Sequence, residues 1–272
     1  MLLKDREYVV DIVDIGQGGV GIGKHDGFTV FVDGGIINDK VKVKINKAKK
    51  NYAVGDIVEV IEKSPFRVKR ECGEHLANCG GCQIQELDYK KQLELKTNEV
   101  KQTISRIGKL DNVEIHDTLG METPFRYRNK AQFPIQKVNG ETVIGFYKKK
   151  SHDVIPTDTC IIQHDVNDKI IKIIKTYIKA YNVSIYDERT HTGVLRHLVT
   201  KVGFTTKEVM VVLVANGKKL PYLNELASVL KENVPGFKTL VVNTNREKTN
   251  VILGKENNVI YGNGKINDYI GD

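Results

Sequence analysis

No stretch of this 272-residue chain approaches the roughly 18 consecutive apolar residues that a membrane helix requires. The opening MLLKDREYVV is charged by its fourth residue and holds no apolar run, so no signal peptide is expected and the cytosol is the expected compartment. Cysteine is scarce, with four in the whole chain. In a compartment that keeps thiols reduced, so few cysteines do not make a disulfide framework, and a tight cluster of them points to a metal or cluster site. Tandem repeats and low-complexity tracts are lacking, which leaves ordinary globular domains; the length suits about two. Excess acid is lacking as well. Forty-two Lys and Arg against 34 Asp and Glu give a net charge of +8 and a pI of about 9.1, which favours an acidic partner, nucleic acid first. Residues 1–63 hold ten of each sign, so the excess lies beyond Ser64, in FRVKR, FRYRNK and FYKKK.

What is present reads first as strands. YVVDIVDI, FTVFVDG, KVKVKI and DIVEVIE alternate or are rich in β-branched residues. Several short strands within residues 4–62 suggest a small barrel, whose closure removes exposed edges. KSPFRVKREC follows as a linker, with Pro65 blocking strand continuation. Residues 84–107 read as a helix with an apolar stripe of Leu93, Val100, Ile104 and Ile107, closed by Gly108. RNKAQFPIQK and ETVIGFYKKK flank Asn-Gly, a strong hairpin signal. Asp165 is placed to cap a helix carrying Ile170, Ile174, Tyr177, Ile178 and Tyr181 on one side. A second hairpin turns at TTK, a helix covers about 221–232, and KTLVVNTN is a strand. The expected layout is a β-barrel over residues 1–63 followed by an α+β domain over 64–272.

Two phosphate-loop patterns occur and neither is in the right context. GQGGVG, from Gly16, spells G-x-G-x-x-G, and GGVGIGK, ending at Lys24, spells G-x-x-x-x-G-K. Both need a helix to open at once, because its N-terminal amides bind the phosphate. HDGFTVFV follows instead, which is turn and strand, and His25 stands where a P-loop places Ser or Thr.

Cys72, Cys79 and Cys82 are spaced C-x6-C-x2-C with Gly-Gly before the last, and Cys160 stands alone in TDTC. Two sites compete for these thiols. Cys160 can complete a four-thiolate set for an iron–sulfur cluster. Alternatively His75 completes a local tetrahedral zinc site. A single further cysteine in the chain tilts the reading to the cluster.

The ordered run of a glycine-rich barrel, C-x6-C-G-G-C, FRYRNKAQFPI, TDTC and TGVLRHLVTK resembles the bacterial 23S rRNA uracil-5-methyltransferases. These form the RumA-like branch of the SAM-dependent RNA uridine-C5 methyltransferases, and the resemblance extends over essentially the whole chain. It implies that residues 4–62 are a TRAM domain, an OB-like RNA-binding barrel. It implies that Cys72, Cys79, Cys82 and Cys160 ligate a [4Fe–4S] cluster in a central domain. It also implies a Rossmann-like catalytic domain with a glycine-rich SAM loop, a nucleophilic cysteine and a catalytic glutamate. No strand–glycine loop–helix unit is read after Ile185 and all four cysteines are assigned to the cluster. The expectation is therefore that the Rossmann-like methyltransferase domain is absent, that no catalytic residue lies in this chain, and that the chain alone is inactive. SAM is expected only in a longer, full-length enzyme.

RNA contacts are expected from FRYRNKAQF. Read as a strand, it places Arg126, Arg128 and Lys130 on one face and Phe125, Tyr127 and Phe133 on the other. Lys148, Lys149 and Lys150 extend this surface, and Lys47, Lys49 and Lys50 make a basic loop on the barrel. Arg196 and His197, in GVLRHL, match the resemblance without a defined role. The function expected is the RNA-recognition portion of a 23S rRNA uridine-C5 methyltransferase, binding rRNA as a monomer away from membranes. The alternative is a stand-alone RNA-binding module with a Cys/His zinc site; a redox carrier fits the distant Cys160 and the basic charge less well.

Overall fold

The computed structural model describes residues 2–73, 76–217 and 219–271. The chain separates into two compact units: residues 1–73 with 82–124, and residues 74–81 with 125–272.

In the first unit, β1 (Glu7–Ile15), β2 (Gly21–His25), β3 (Phe28–Asp33), β4 (Lys40–Ala48) and β5 (Tyr52–Glu62) close into a barrel of order β1-β2-β3-β5-β4. Strands β3 and β5 are parallel, and β4 returns to β1. Period-two alternation sends Val10, Ile12, Val30, Val32, Val41, Val43, Ile45 and Ala53 inward as a single core. The glycine-rich segment is a short 3-10 turn, Gln17–Gly19, that runs directly into β2. With no helix opening there, both phosphate-loop patterns are structurally excluded. Gly23 is needed for close approach, since a Cβ there would lie 2.2 Å from Cγ1 of Val10.

A buried ion pair fastens the segment after β5. The Asp39 side chain is fully buried and pairs with Arg67 Nη2 at 2.5 Å. It also accepts from the amides of Ile36 and Ser64, while Arg67 donates to the carbonyl of Gly34. Every charge taken from water thus finds several partners, the condition under which a buried pair is tolerated. Helix α1 (Tyr89–Arg106) starts at Asp88, whose carboxylate accepts from the Lys91 amide. Its expected apolar stripe is not a core face. Thr97 is the buried residue of α1, whereas Val100 and Ile107 are exposed.

The second unit is a seven-stranded sheet of order β12-β11-β10-β9-β6-β7-β8. Its elements are β6 (Lys130–Val138), β7 (Glu141–Tyr147), β8 (Val154–Pro156), α2 (Val166–Ala180), β9 (Leu195–Val202), β10 (Val209–Ala215), α3 (Leu223–Asn233), β11 (Phe237–Thr244) and β12 (Glu256–Tyr261). The β6–β7 turn places Asn139 and Gly140 at positive φ, as the tight hairpin demands. Helices α2 and α3 join Phe133, Leu198, Leu213 and Leu240 in the main core. Val199, Val212, Val214 and Val241 form a smaller cluster, which alternation along each strand assigns to the other face. Asp165 begins α2 but does not cap it with its side chain; Nδ1 of His164 accepts from the Val166 amide instead. No helix among the described residues is long and apolar enough to cross a membrane.

One expectation fails clearly here. Strand β10, a loop carrying Gly217 at φ +71°, helix α3 and strand β11 form a strand–loop–helix–strand unit with β10 and β11 parallel. A strand–glycine loop–helix unit therefore does follow Ile185. Each piece is readable in the sequence, but the parallel return depends on long-range pairing that a local pattern does not encode.

A β-bulge interrupts β9, where Val214 faces His197 and Ala215 faces Leu195. Arg196 falls in the bulge, and both Arg196 and His197 are buried. The His197 pKa is pushed down to about 4 from 6.5, by burial first and by the Arg196 charge second, with Glu188 opposing.

Two outcomes are expected from these features. Gly23→Ala forces its new methyl group into Val10 and should cost about 1–3 kcal/mol, measured by denaturant unfolding; an unchanged midpoint would remove close packing as the reason for glycine. For His197, the unfolded chain takes up its proton near pH 6.5 and the folded chain only near pH 4, so stability falls as pH drops through that window. The loss is at most about 3 kcal/mol. His197→Gln should flatten the fall when unfolding midpoints at about pH 7 and about pH 4.5 are compared; an unaltered fall assigns it to other groups.

Candidate functional site

The segment expected to be an RNA-reading strand is not one. Regular pairing begins at Lys130, and residues 125–129 are irregular, with Arg126 at φ +56° and Arg128 in an isolated bridge to Gln163. The alternation that put Arg126, Arg128 and Lys130 on one face therefore does not apply. Both arginines are partly buried and act on main-chain carbonyls. Arg126 Nη1 donates to the carbonyls of Cys160 at 2.9 Å and Gln163 at 3.2 Å. Arg128 Nη2 reaches the carbonyl of Gly81 at 3.4 Å. Lys130 is exposed, as are Lys148 and Lys150. Lys148 pairs with Asp153 at 3.6 Å, and the Lys149 amide donates to the carbonyl of Asn78. On the barrel, Lys47 lies at the end of β4 and Lys49 and Lys50 in the turn to β5, all three exposed.

The thiols divide between the units, Cys72 and Cys82 in the first, Cys79 and Cys160 in the second. All four are free and partly buried. Cys72 Sγ lies 3.2 Å from the Gln85 side-chain oxygen, and Cys79 Sγ accepts from the Gly81 amide at 3.4 Å. Burial pushes the Cys160 thiol above its ordinary pKa, with Cys79 adding to the rise and Arg128 opposing it. The charge of Cys79 thus reaches Cys160 from a separate segment, Arg128 holding the one and Arg126 the other. Soft thiolates are the right donors for an iron–sulfur cluster. Yet among the described residues no three Cys, His, Asp or Glu side chains stand together as a metal-holding group. His75, the alternative zinc ligand, lies outside the described residues.

Arg196 does internal work. Arg196 Nη1 donates to the carbonyls of Asn245 and Glu247, both at 2.8 Å, and its guanidinium lies 4.4 Å from the centre of the Tyr186 ring. Asn245 donates to the carbonyls of Val251 and Ile252, and Asn243 to that of Gly254. These three buried side chains shape the 244–256 loop at the carboxyl end of β11, where it lines a cavity of about 450 Å³. The Asn residues in NTN were this loop's only signal, because amide side chains there can satisfy irregular backbone.

A family model described as the TRAM domain matches residues 4–58. An uncharacterized RNA methyltransferase of Clostridium tetani is 47% identical over 269 residues, covering 99% of this chain and 58% of that protein. One of Caldanaerobacter subterraneus is 43% identical over 267 residues, covering 98% of this chain and 59% of its own. The chain thus spans somewhat under three-fifths of the length of these relatives. Among solved structures, the Pyrococcus abyssi tRNA (uracil-54, C5)-methyltransferase in complex with S-adenosyl-L-homocysteine matches with a TM-score of 0.69 and 24% identity, covering 94% of this chain and 55% of that one.

Two expectations are corrected by these matches. The chain was expected to lack a methyltransferase domain, yet 94% of it shares its fold with a solved methyltransferase. It was also expected to be an inactive recognition fragment; nearly the whole chain instead aligns with proteins named RNA methyltransferases, over 58–59% of their length. Residues 4–58 are similar to the TRAM domain, and nearly the whole chain is similar to proteins named RNA methyltransferases.

Proposed function

We propose that this chain serves SAM-dependent methylation of uridine C5 in RNA, with 23S rRNA as the substrate. The 47% identity to an RNA methyltransferase along 99% of the chain carries the reading. The TRAM match at residues 4–58 and the net charge of +8 support RNA as the partner. The motif run from the cysteine cluster to TGVLRHLVTK supports the uridine-C5 class and ribosomal substrate. The solved neighbour is named for tRNA, so a test must separate the two RNAs. We place the chain in the cytosol as a monomer.

The chemistry sets what the protein must do. C5 of uracil is a weak nucleophile until a group adds at C6, and a base must later take the C5 proton. SAM supplies the methyl group. The part assigned to residues of this chain is to bind and orient the RNA: Lys47, Lys49 and Lys50 on the barrel and Lys130, Lys148, Lys149 and Lys150 on the second unit follow its phosphates. Arg126 and Arg128 support that surface through the carbonyls they hold. Cys72, Cys79, Cys82 and Cys160 are proposed as ligands of a [4Fe–4S] cluster, on their spacing and donor softness alone.

Labelled SAM with full-length protein should methylate 23S rRNA transcripts and leave tRNA unlabelled. Label in tRNA alone would replace the substrate, and label in neither RNA would end the methyltransferase reading. For the cluster, anaerobically purified protein should contain iron and sulfide, both lost in Cys160→Ala. Colourless protein holding one zinc that is lost in His75→Ala would establish the zinc site instead.

A further inference from the structure

Helix α2 carries a ridge that no motif announced. Lys169, Lys172, Thr176 and Lys179 are all exposed and follow one another at intervals of three or four residues. They form one stripe opposite the buried Ile170, Ile174 and Ile178. From Lys169 to Lys179 the stripe runs about 15 Å. Lys175 stands beside it, partly buried and paired with Asp158 at 2.6 Å. The acidic residues of the helix, Asp165 and Asp168, sit at its amino end. Positive charge therefore gathers toward the carboxyl end. Helix polarity alone accounts for Lys179 there. It does not account for the aromatic pair beside it.

Tyr181, directly after α2, stacks on Tyr222 with ring centroids 4.3 Å apart and an interplanar angle of 22°. Tyr222 precedes α3 in a left-handed conformation, φ 49° and ψ 42°, and gives that helix no side-chain cap. A bulky residue is a marked outlier in this region, where glycine sits without cost. The strain does not serve burial either, for Tyr222 is 56% exposed. Between α2 and α3 runs a groove of about 380 Å³ with Ile173, Tyr177 and Val229 along it, Lys172 and Thr176 on the α2 side and Glu225 on the other.

An aromatic ring held in solvent beside a lysine ridge suits a ligand that offers flat π-faces and negative charge at regular intervals. Single-stranded RNA offers both. We infer that the lysine ridge, the α2–α3 groove and the Tyr181–Tyr222 stack form a further single-strand RNA contact. A nucleobase stacks on the outer face of Tyr222, and its flanking phosphates run along Lys172 and Lys179. Glu225 is positioned to accept from a base N–H. This inference rests on the reading that the protein binds RNA, but it names a surface separate from the barrel lysines and the cysteine segments.

Backbone conformation supplies a discriminating test. Tyr222→Gly relieves the left-handed strain, which offsets the lost Tyr181 contact, so its thermal midpoint should change little. Its affinity for a fluorescein-labelled single-stranded RNA should nonetheless fall at least about fivefold, while Tyr222→Phe retains affinity. Lys172→Glu with Lys179→Glu should weaken binding and lower the salt dependence by about one to two in log–log slope. Duplex RNA of the same sequence should be much less affected. If wild type binds RNA and these variants bind equally well, the inference is overturned while RNA binding stands. If wild type binds no RNA, both fall. Competition by polyglutamate that depends on Tyr222, with RNA binding indifferent to it, would assign the groove to an acidic peptide and overturn the inference.

Discussion

Carbonyls that leave helix or sheet must still find donors, and guanidinium groups supply them at the irregular points of this protein. Arg126 and Arg128 hold the carbonyls of Cys160, Gln163 and Gly81. Arg196 holds those of Asn245 and Glu247, and Arg67 that of Gly34 in the first unit. One planar fork can satisfy two carbonyls from different turns, which a lysine ammonium does with less orientation. The thiol-bearing segments of the second unit and the loop after β11 both take their shape from such bonds. Those arginines are thereby committed to main-chain carbonyls, whereas Lys130, Lys148 and Lys150 stay exposed.

This division of labour explains which parts of the sequence could be read. The β6–β7 hairpin was legible because Asn139-Gly140 states its turn chemistry locally, and α2 was legible because its apolar residues recur with helical period. The barrel strands were legible from alternation, although β2 was hidden inside the glycine-rich stretch whose glycines permit close packing. FRYRNK was misread because alternation of charge and aromatics imitates a strand, whereas Arg126 takes a positive φ and turns inward. The stripe on α1 was misread because periodicity identifies an apolar face without saying what covers it; Val100 and Ile107 remain exposed. The parallel return of β11 to β10 was invisible for a related reason, since sheet order is a property of distant partners.

The same limit applies to the candidate site. Cysteine spacing singled out Cys72, Cys79 and Cys82, and the geometry adds that Cys79 and Cys160 lie close enough for one thiol to shift the other. Arg196 and His197 were noticed only through resemblance. Arg196, in the bulge of β9, donates to two carbonyls of the loop after β11, while burial lowers the pKa of His197 beside it. Tyr222 carried no sequence signal at all. Its interest arises from a backbone angle, which composition and periodicity do not report.

The seven-stranded sheet has a consequence for how the chain assembles. Its hairpins β6–β7 and β9–β10 close over short turns, but its centre joins β6 to β9, with Lys130 opposite Lys201. Everything from the cysteine at 160 to the end of α2 lies in the intervening loop. Closing so long a loop costs chain entropy before it gains contacts. The compensating gain comes from α2, whose Ile170, Ile174 and Ile178 share the core with Phe133 and Leu198. Helix packing and the central strand pairing therefore draw on one core, and the stability of the sheet's middle depends on the helix that lies between its two halves in sequence.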